Sequence, residues 1–223
     1  MGKKLTVTAT GDSLFIADFP QEYLSGEFKE ISGYIKDCDV KLTNLETNLS
    51  NFEFYPNQYS GGTWLNTRKK YFPYLKGYGF DFYGNANNHC YDYGPNGLMS
   101  TIKTLDEEGV LHAGTGESLE AAGRPATFVR NGKKIAVFAV DCSFEKPSMA
   151  GEETVALKSR PGVNYLRHKT FYKIDESDVA ALKAVAKKTR INAERELEIA
   201  TGFKTPDPEG VFVLKDITFT TDK

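Results

Sequence analysis

Three short β-forming runs in the N-terminal half each stop at a cluster of polar residues, and helix-like periodicity fills the gaps between them. Residues 4–10 (KLTVTAT) alternate and are β-branched, and they are expected to end at Gly11-Asp12. Residues 40–43 run into Asn44-Leu45-Glu46, and residues 80–83 run into Gly84-Asn85-Ala86-Asn87-Asn88-His89. Between the first two runs, residues 27–36 place Phe28, Ile31 and Ile35 on one helical face. Residues 68–76 predict a short helix ending before Gly77, and residues 97–108 a clear one, with Leu98, Ile102 and Leu105 as its stripe. Strands that alternate with helices imply an α/β layered fold with a mostly parallel sheet.

The pattern continues with a strand at 110–113, Gly114-Thr115-Gly116, and a short helix at 119–122. Residues 125–129 and 134–140 flank Asn131-Gly132, a strong hairpin signal. Residues 51–66 are rich in aromatics, Asn, Gly and Pro and predict a long loop, of the kind that serves as a lid or binding loop. Beyond residue 141 the character changes. Residues 147–161 predict loop, 177–188 an amphipathic helix, 193–200 a second helix, and 211–219 one strand.

Composition excludes several classes. The 223 residues are 40% hydrophobic and 26% charged, which suits a globular chain with a sizeable core rather than a disordered one. A net charge of −2 gives no broad positive field, so no nucleic-acid partner is expected. Apolar runs such as 135–140 are too short to span a bilayer, so no membrane segment is expected. Cys38, Cys90 and Cys142 are too few and too scattered for a disulfide framework or zinc ribbon, and predict small buried hydrophobes.

In open α/β sheets ligands bind outside the carboxyl ends of the strands. There the three clusters offer Asp12, Glu46, Asn88, His89 and Asp92, with Asn44 and Asn87 as further amides. Carboxylates, an amide oxygen and an imidazole form an oxygen–nitrogen donor set for a divalent metal. His89 can also stabilise charge on a substrate oxygen, with Asp92 accepting its other ring N–H. Each cluster has a plainer reading too. Gly11-Asp12 is common turn chemistry, and Asn44-Leu45-Glu46 would serve as a helix cap. Gly114-x-Gly116 lacks the third glycine of a dinucleotide site, because position 119 is Leu, and reads as a tight turn. His112 predicts a packed side chain and His168 an exposed turn. No Gly-x-Ser-x-Gly or P-loop signature is present.

The order of these blocks carries a family resemblance. Gly11-Asp12-Ser13-Leu14-Phe15, then residues 42–50 (LTNLETNLS), then residues 86–94 (ANNHCYDYG) followed by Gly97, Thr101, Leu105, Gly109, Gly114-Thr115-Gly116, Ala121 and Pro125, resemble the CapA-type capsule and poly-gamma-glutamate biosynthesis proteins. The resemblance is good over residues 4–145 and implies a layered, calcineurin-like metallophosphoesterase sandwich. It implies metal-side roles for Asp12, Glu46 and Asn88, transition-state stabilisation by His89, and an orienting role for Asp92. The donor types do not choose among Mn, Fe, Zn and Mg.

The later histidine blocks that family members carry are not found in this sequence. The chain is therefore expected to be one domain, 1–223, holding the N-terminal part of the full family domain, with a helical insertion or extension at 161–210. Two functions follow as expectations. One is a metal-dependent, phosphoesterase-like hydrolase acting on a cell-envelope or gamma-glutamyl polymer. The other is a non-catalytic accessory protein that holds an anionic polymer for a synthase. The implied partners are a polyanionic or phosphate-containing molecule and a polyglutamate synthase complex. The resemblance implies the outer cell envelope as location, and the cytoplasm if no leader was removed.

Overall fold

Parallel pairing of short strands organises the chain. In the computed structural model, which describes residues 4–16, 26–60, 62–143 and 145–221, β1 (Val7–Ser13) is followed by α1 (Gly26–Lys36) and β2 (Val40–Leu45). Then come the two-residue strands β3 (Asn48–Leu49) and β4 (Asn66–Thr67), α2 (Phe72–Gly77), β5 (Phe82–Gly84), α3 (Gly94–Glu107) and β6 (Leu111–Ala113). β7 (Thr115–Gly116), α4 (Leu119–Gly123), the strands β8 (Ala126–Arg130) and β9 (Lys133–Val137), and β10 (Gly162–Val163) follow. The chain divides into two compact units, Met1–Leu166 and Arg167–Lys223.

The sheet of the first unit has the order β1-β2-β5-β6, with all its pairs parallel. Successive residues of a strand face opposite ways, and β5 shows the result. Tyr83 joins Leu45, Leu49, Phe72, Leu75 and Leu105 in one buried cluster. Its neighbour Phe82 joins Ala113 and Ala126, with Leu42, Val137 and Ala139 packed against them. Helices α2 and α3 thus cover one face of the sheet, and the β8–β9 hairpin covers the other. A parallel sheet buried on both faces is what the α/β alternation predicts. The hairpin turns through Asn131 (φ 52°) and Gly132 (φ 74°), both left-handed as a type I′ turn requires. Arg130 pairs with Asp81 at 2.5 Å, and Asp81 also pairs with Lys41 at 2.9 Å, which ties the hairpin to the sheet.

Several local expectations are corrected. β1 does not stop at Gly11-Asp12. It continues to Ser13 through a bulge, since Ala9 pairs with Leu42 but Asp12 pairs with Asn44. In α1 the buried positions include Ser32 and Ile35, while Ile31 is 53% exposed. The buried stripe is therefore rotated from the Phe28–Ile31–Ile35 reading. Cys142 is exposed and Cys38 half-buried, so of the three thiols Cys90 alone is a buried hydrophobe.

The second unit contains β11 (Phe171–Lys173), α5 (Glu176–Thr189), α6 (Ala193–Ala200), β12 (Val211–Leu214) and β13 (Ile217–Thr220). Its sheet has the order β11-β13-β12. The single strand expected at 211–219 is a hairpin, because Lys215 takes φ 56° and turns the chain. Asn192 holds that turn: its Nδ2 donates to the Val213 carbonyl at 2.7 Å and its Oδ1 accepts from the Lys215 N–H at 2.8 Å.

Candidate functional site

The bulge in β1 sets the register at the strand ends. β1 spends one residue more than β2 between Ala9 and Asp12, so Asp12 lies beside Asn44 rather than one place past it. Bulges commonly re-aim a side chain in this way. A hydroxyl cluster holds it: Thr43 Oγ1 donates to the Gly11 carbonyl at 3.3 Å, and Thr10 and Ser13 both bond Thr43 Oγ1, at 2.8 and 2.5 Å.

From there an amide relay crosses the sheet. Asn44 Nδ2 donates to Asp12 Oδ1 at 2.7 Å, and Asn87 Nδ2 donates to Asn44 Oδ1 at 3.0 Å and to the Leu45 carbonyl at 2.9 Å. Asn87 Oδ1 accepts from the His89 backbone N–H at 3.1 Å. The ends of β1, β2 and β5 are thereby joined through side chains, and Asn44 and Asn87 are spent on orientation.

His89 Nδ1 lies 2.8 Å from Asp92 Oδ2. An ionised carboxylate only accepts, so the proton sits on Nδ1 and Nε2 is left for other chemistry. Asp92 is 1% exposed, and the same Oδ2 accepts the Leu65 N–H at 2.7 Å. One oxygen therefore orients the imidazole and anchors the far end of the 51–66 loop. The Asn57 N–H donates to the Asp92 carbonyl at 2.6 Å and pins the middle of the loop to the same turn.

Glu46 faces Asp12. Burial raises the Glu46 carboxyl above the usual range, as do a hydrogen bond and charge repulsion from Asp12; His89 opposes the shift and Asp92 adds to it. Two carboxyls held this close are a like-charge arrangement that a divalent cation would relieve. That observation fits a cation held by Asp12 and Glu46. Among the described residues, no three His, Cys, Asp or Glu side chains gather to hold a metal by themselves. Amide oxygens, water or substrate would have to complete the shell. Asn88 lines a cleft with Asn57, Tyr59, Asp92 and Glu145, whereas Asp12 lines a separate hollow with Phe15, Leu75 and Phe80.

Sequence reasoning missed the part played by residues 47–50. Asn48 is fully buried: its Nδ2 donates to the Cys90 carbonyl at 2.8 Å and its Oδ1 accepts from the Tyr93 N–H at 3.0 Å. Leu49 is held by Thr101, whose Oγ1 accepts its N–H at 2.8 Å, and by Ser100, whose Oγ donates to its carbonyl at 2.8 Å. These side chains clamp the turn that carries His89 and Asp92. The signal was an Asn-rich block directly after an apolar strand, with Thr101 on the facing helix.

The weaker candidates have structural roles. A Cβ on Gly116 would lie 2.4 Å from the Ala122 nitrogen, so the Gly-x-Gly turn serves close packing against α4. His112 bonds Asp106 at 3.1 Å, and His168 is exposed. A hollow of about 820 Å³ in the second unit is lined by Arg195 and Lys204, which are already paired with Asp207 and Glu198.

Residues 6–198 match the family described as "Bacterial capsule synthesis protein PGA_cap". The chain belongs to this family. Relatives agree: "Capsule biosynthesis protein CapA" of Bacillus anthracis is 27% identical over 169 residues, covering 72% of this chain and 39% of that protein. "Uncharacterized protein y4sH" and "Uncharacterized protein y4uA" of Sinorhizobium fredii (strain NBRC 101917 / NGR234) are each 33% identical over 165 residues, covering 73% of this chain and 36% of theirs. The chain thus spans little more than a third of the length of these relatives. The CapA-type resemblance read from the Gly-Asp, Asn-Leu-Glu-Thr and Asn-Asn-His blocks is borne out, and all three blocks fall inside the PGA_cap match. No helix among the described residues is long and apolar enough to cross a membrane.

Proposed function

We propose that this PGA_cap chain carries a cation-assisted hydrolytic site, acting on a phosphate ester or amide of a cell-envelope or gamma-glutamyl polymer. The supporting observation is the hydrogen-bonded approach of the Asp12 and Glu46 carboxyls beside the His89–Asp92 pair. Asp12 and Glu46 would hold the divalent metal, with water or substrate oxygens completing its shell; Asn88, proposed from the family resemblance as an amide donor, lines the neighbouring cleft instead. When bound, the metal would acidify a water and polarise the scissile group.

The chain's own residues do the rest. Asn44 and Asn87 fix the Asp12 carboxylate. Asp92 keeps the Nδ1 proton of His89 in place, so Nε2 is left for the substrate, with either a lone pair or a proton. As imidazolium it would donate to a developing oxyanion, or protonate a leaving oxygen. The test is turnover of a generic aryl phosphate and functional complementation by the complete protein. Asp12→Ala and His89→Ala should each abolish turnover, and full activity in both would sink the reading.

A second reading is favoured by one observation: no three ligating side chains converge among the described residues. It makes the same strand ends a binding site that holds an anionic polymer for a polyglutamate synthase without turnover. Metal uptake together with phosphodiesterase turnover would count against it.

A further inference from the structure

Residues 51–67 carry five aromatic side chains and a single charged one, Glu53. Four of the rings point outward: Phe52 is 49% exposed, Tyr55 93%, Tyr59 50% and Trp64 45%. They do not fill a core, yet the segment that displays them is tied down. β3 pairs with β4 at its base, Leu65 and Asn57 bond Asp92, and Trp64 Nε1 donates to the Asn57 carbonyl at 2.8 Å. Phe52 is held at φ 65°, an unfavourable backbone state for a bulky L-residue. Its N–H reaches Ser50 Oγ at 3.2 Å, and the Arg68 guanidinium lies 5.1 Å from its ring. Rings displayed to solvent by a tethered segment point to something that binds them.

The platform adjoins the strand ends. Tyr59 and Asn57 line the same cleft as Asn88 and Asp92. Its chemistry is ring faces edged by the amides and hydroxyls of Asn57, Gln58 and Ser60; the loop's own acid, Glu53, is set against Lys69 at 3.9 Å, and Asp92 and Glu145 line the adjoining cleft. A polyglutamate chain has no ring faces, and the neighbouring cations Arg68, Lys69 and Lys70 are engaged by Phe52, Glu53 and Tyr71. A pyranose offers a face of C–H groups for an aromatic ring and a rim of hydroxyls for amides, and it needs no charge.

We propose that residues 52–60 and 62–64 form a glycan-binding platform, docking the neutral sugar rings of a cell-envelope substrate on Tyr55, Tyr59 and Trp64. This rests on the hydrolytic reading only for where the reacting bond lies; the binding itself does not. Trp64 is the chain's single tryptophan, so its fluorescence reports the platform directly.

The experiment titrates the full chain with an N-acetylglucosamine tetramer, a glucose tetramer and poly-gamma-glutamate, each between about 0.05 and 0.5 M salt. A saturable change with at least one neutral tetramer is expected, insensitive to salt. Tyr55→Ala and Tyr59→Ala should each weaken it about tenfold, and Tyr55→Ala should leave aryl-phosphate turnover and urea stability unchanged. Two results overturn the proposal: no response to either neutral sugar, or a salt-sensitive response to polyglutamate alone that both variants retain. Sugar binding without turnover would sink the hydrolytic reading and leave the platform standing. Turnover without sugar binding would do the reverse.

Discussion

Asp92→Ala removes a carboxylate that is 1% exposed and whose Oδ2 serves two donors, His89 Nδ1 at 2.8 Å and the Leu65 N–H at 2.7 Å. Leu65 is itself buried, so its N–H would be left without a partner, at about 1–3 kcal/mol. Losing the charge-assisted bond to His89 adds about 1.5–3 kcal/mol. The sum, about 2.5–6 kcal/mol, is a large part of a typical domain's stability. With a urea slope of about 2 kcal/mol/M, the midpoint should fall by about 1.3–3 M. Trp64 lies in the same unit and reports its unfolding without signal from the second unit. Asp92→Asn keeps the shape and an acceptor for the Leu65 N–H, so it should lose only about 1–2 kcal/mol. A midpoint for Asp92→Ala within about 0.3 M of the parent would refute the claim that this oxygen clamps loop and imidazole together.

Three further outcomes are expected. Gly97→Ala places a Cβ 2.4 Å from Tyr93 Cβ and 3.2 Å from Asn48 Oδ1. Overpacking should outweigh the helix-propensity gain and cost about 1–2 kcal/mol in a thermal melt, whereas a rise in melting temperature would contradict the close approach. Iodoacetamide at mildly alkaline pH should label the exposed Cys142 first, and should spare Cys90 until unfolding, because burial pushes that thiol up to about 12. Early labelling of Cys90, located by peptide mass, would contradict its burial. Glu46 binds its proton more tightly folded than unfolded, so its contribution to stability is present in acid and is lost as pH rises through its raised pKa. Glu46→Gln should therefore raise the melting temperature of the metal-free chain at pH 7 and leave it unchanged near pH 4. Because the group is partly exposed, the gain should stay below about 1 kcal/mol, and a gain confined to low pH would reverse the assignment.

What the residues announced and what they concealed divide along physical lines. The parallel sheet was legible because β-branched and aromatic runs at 4–10, 40–43 and 80–83 stop at polar clusters, and the β8–β9 turn because Asn-Gly takes left-handed angles readily. The bulge at Thr10-Gly11 was not, because it depends on Thr43 across the sheet, and no local period encodes a partner's hydroxyl. The β12–β13 turn was hidden because Lys215 holds φ 56° without being Gly or Asn, kept there by Asn192, which lies 23 residues away in sequence. Asp12, Glu46, His89 and Asp92 could be grouped from the sequence because each follows a strand end, and Glu46 feels the charges of the other three. Asn48 was passed over because a fully buried Asn and a loop Asn look alike until their bonds are counted.

The central proposal is that Asp12 and Glu46 together hold a divalent cation. Isothermal calorimetry with Mn²⁺ and with Mg²⁺ in two buffers of different ionisation enthalpy tests it most directly. The account predicts saturable binding, with proton release that grows as pH is lowered because Glu46 holds its proton more tightly than an ordinary carboxyl, and loss of both signals in Asp12→Ala and Glu46→Gln. Binding that survives both substitutions unchanged, or no binding to the parent chain at millimolar metal, would contradict it.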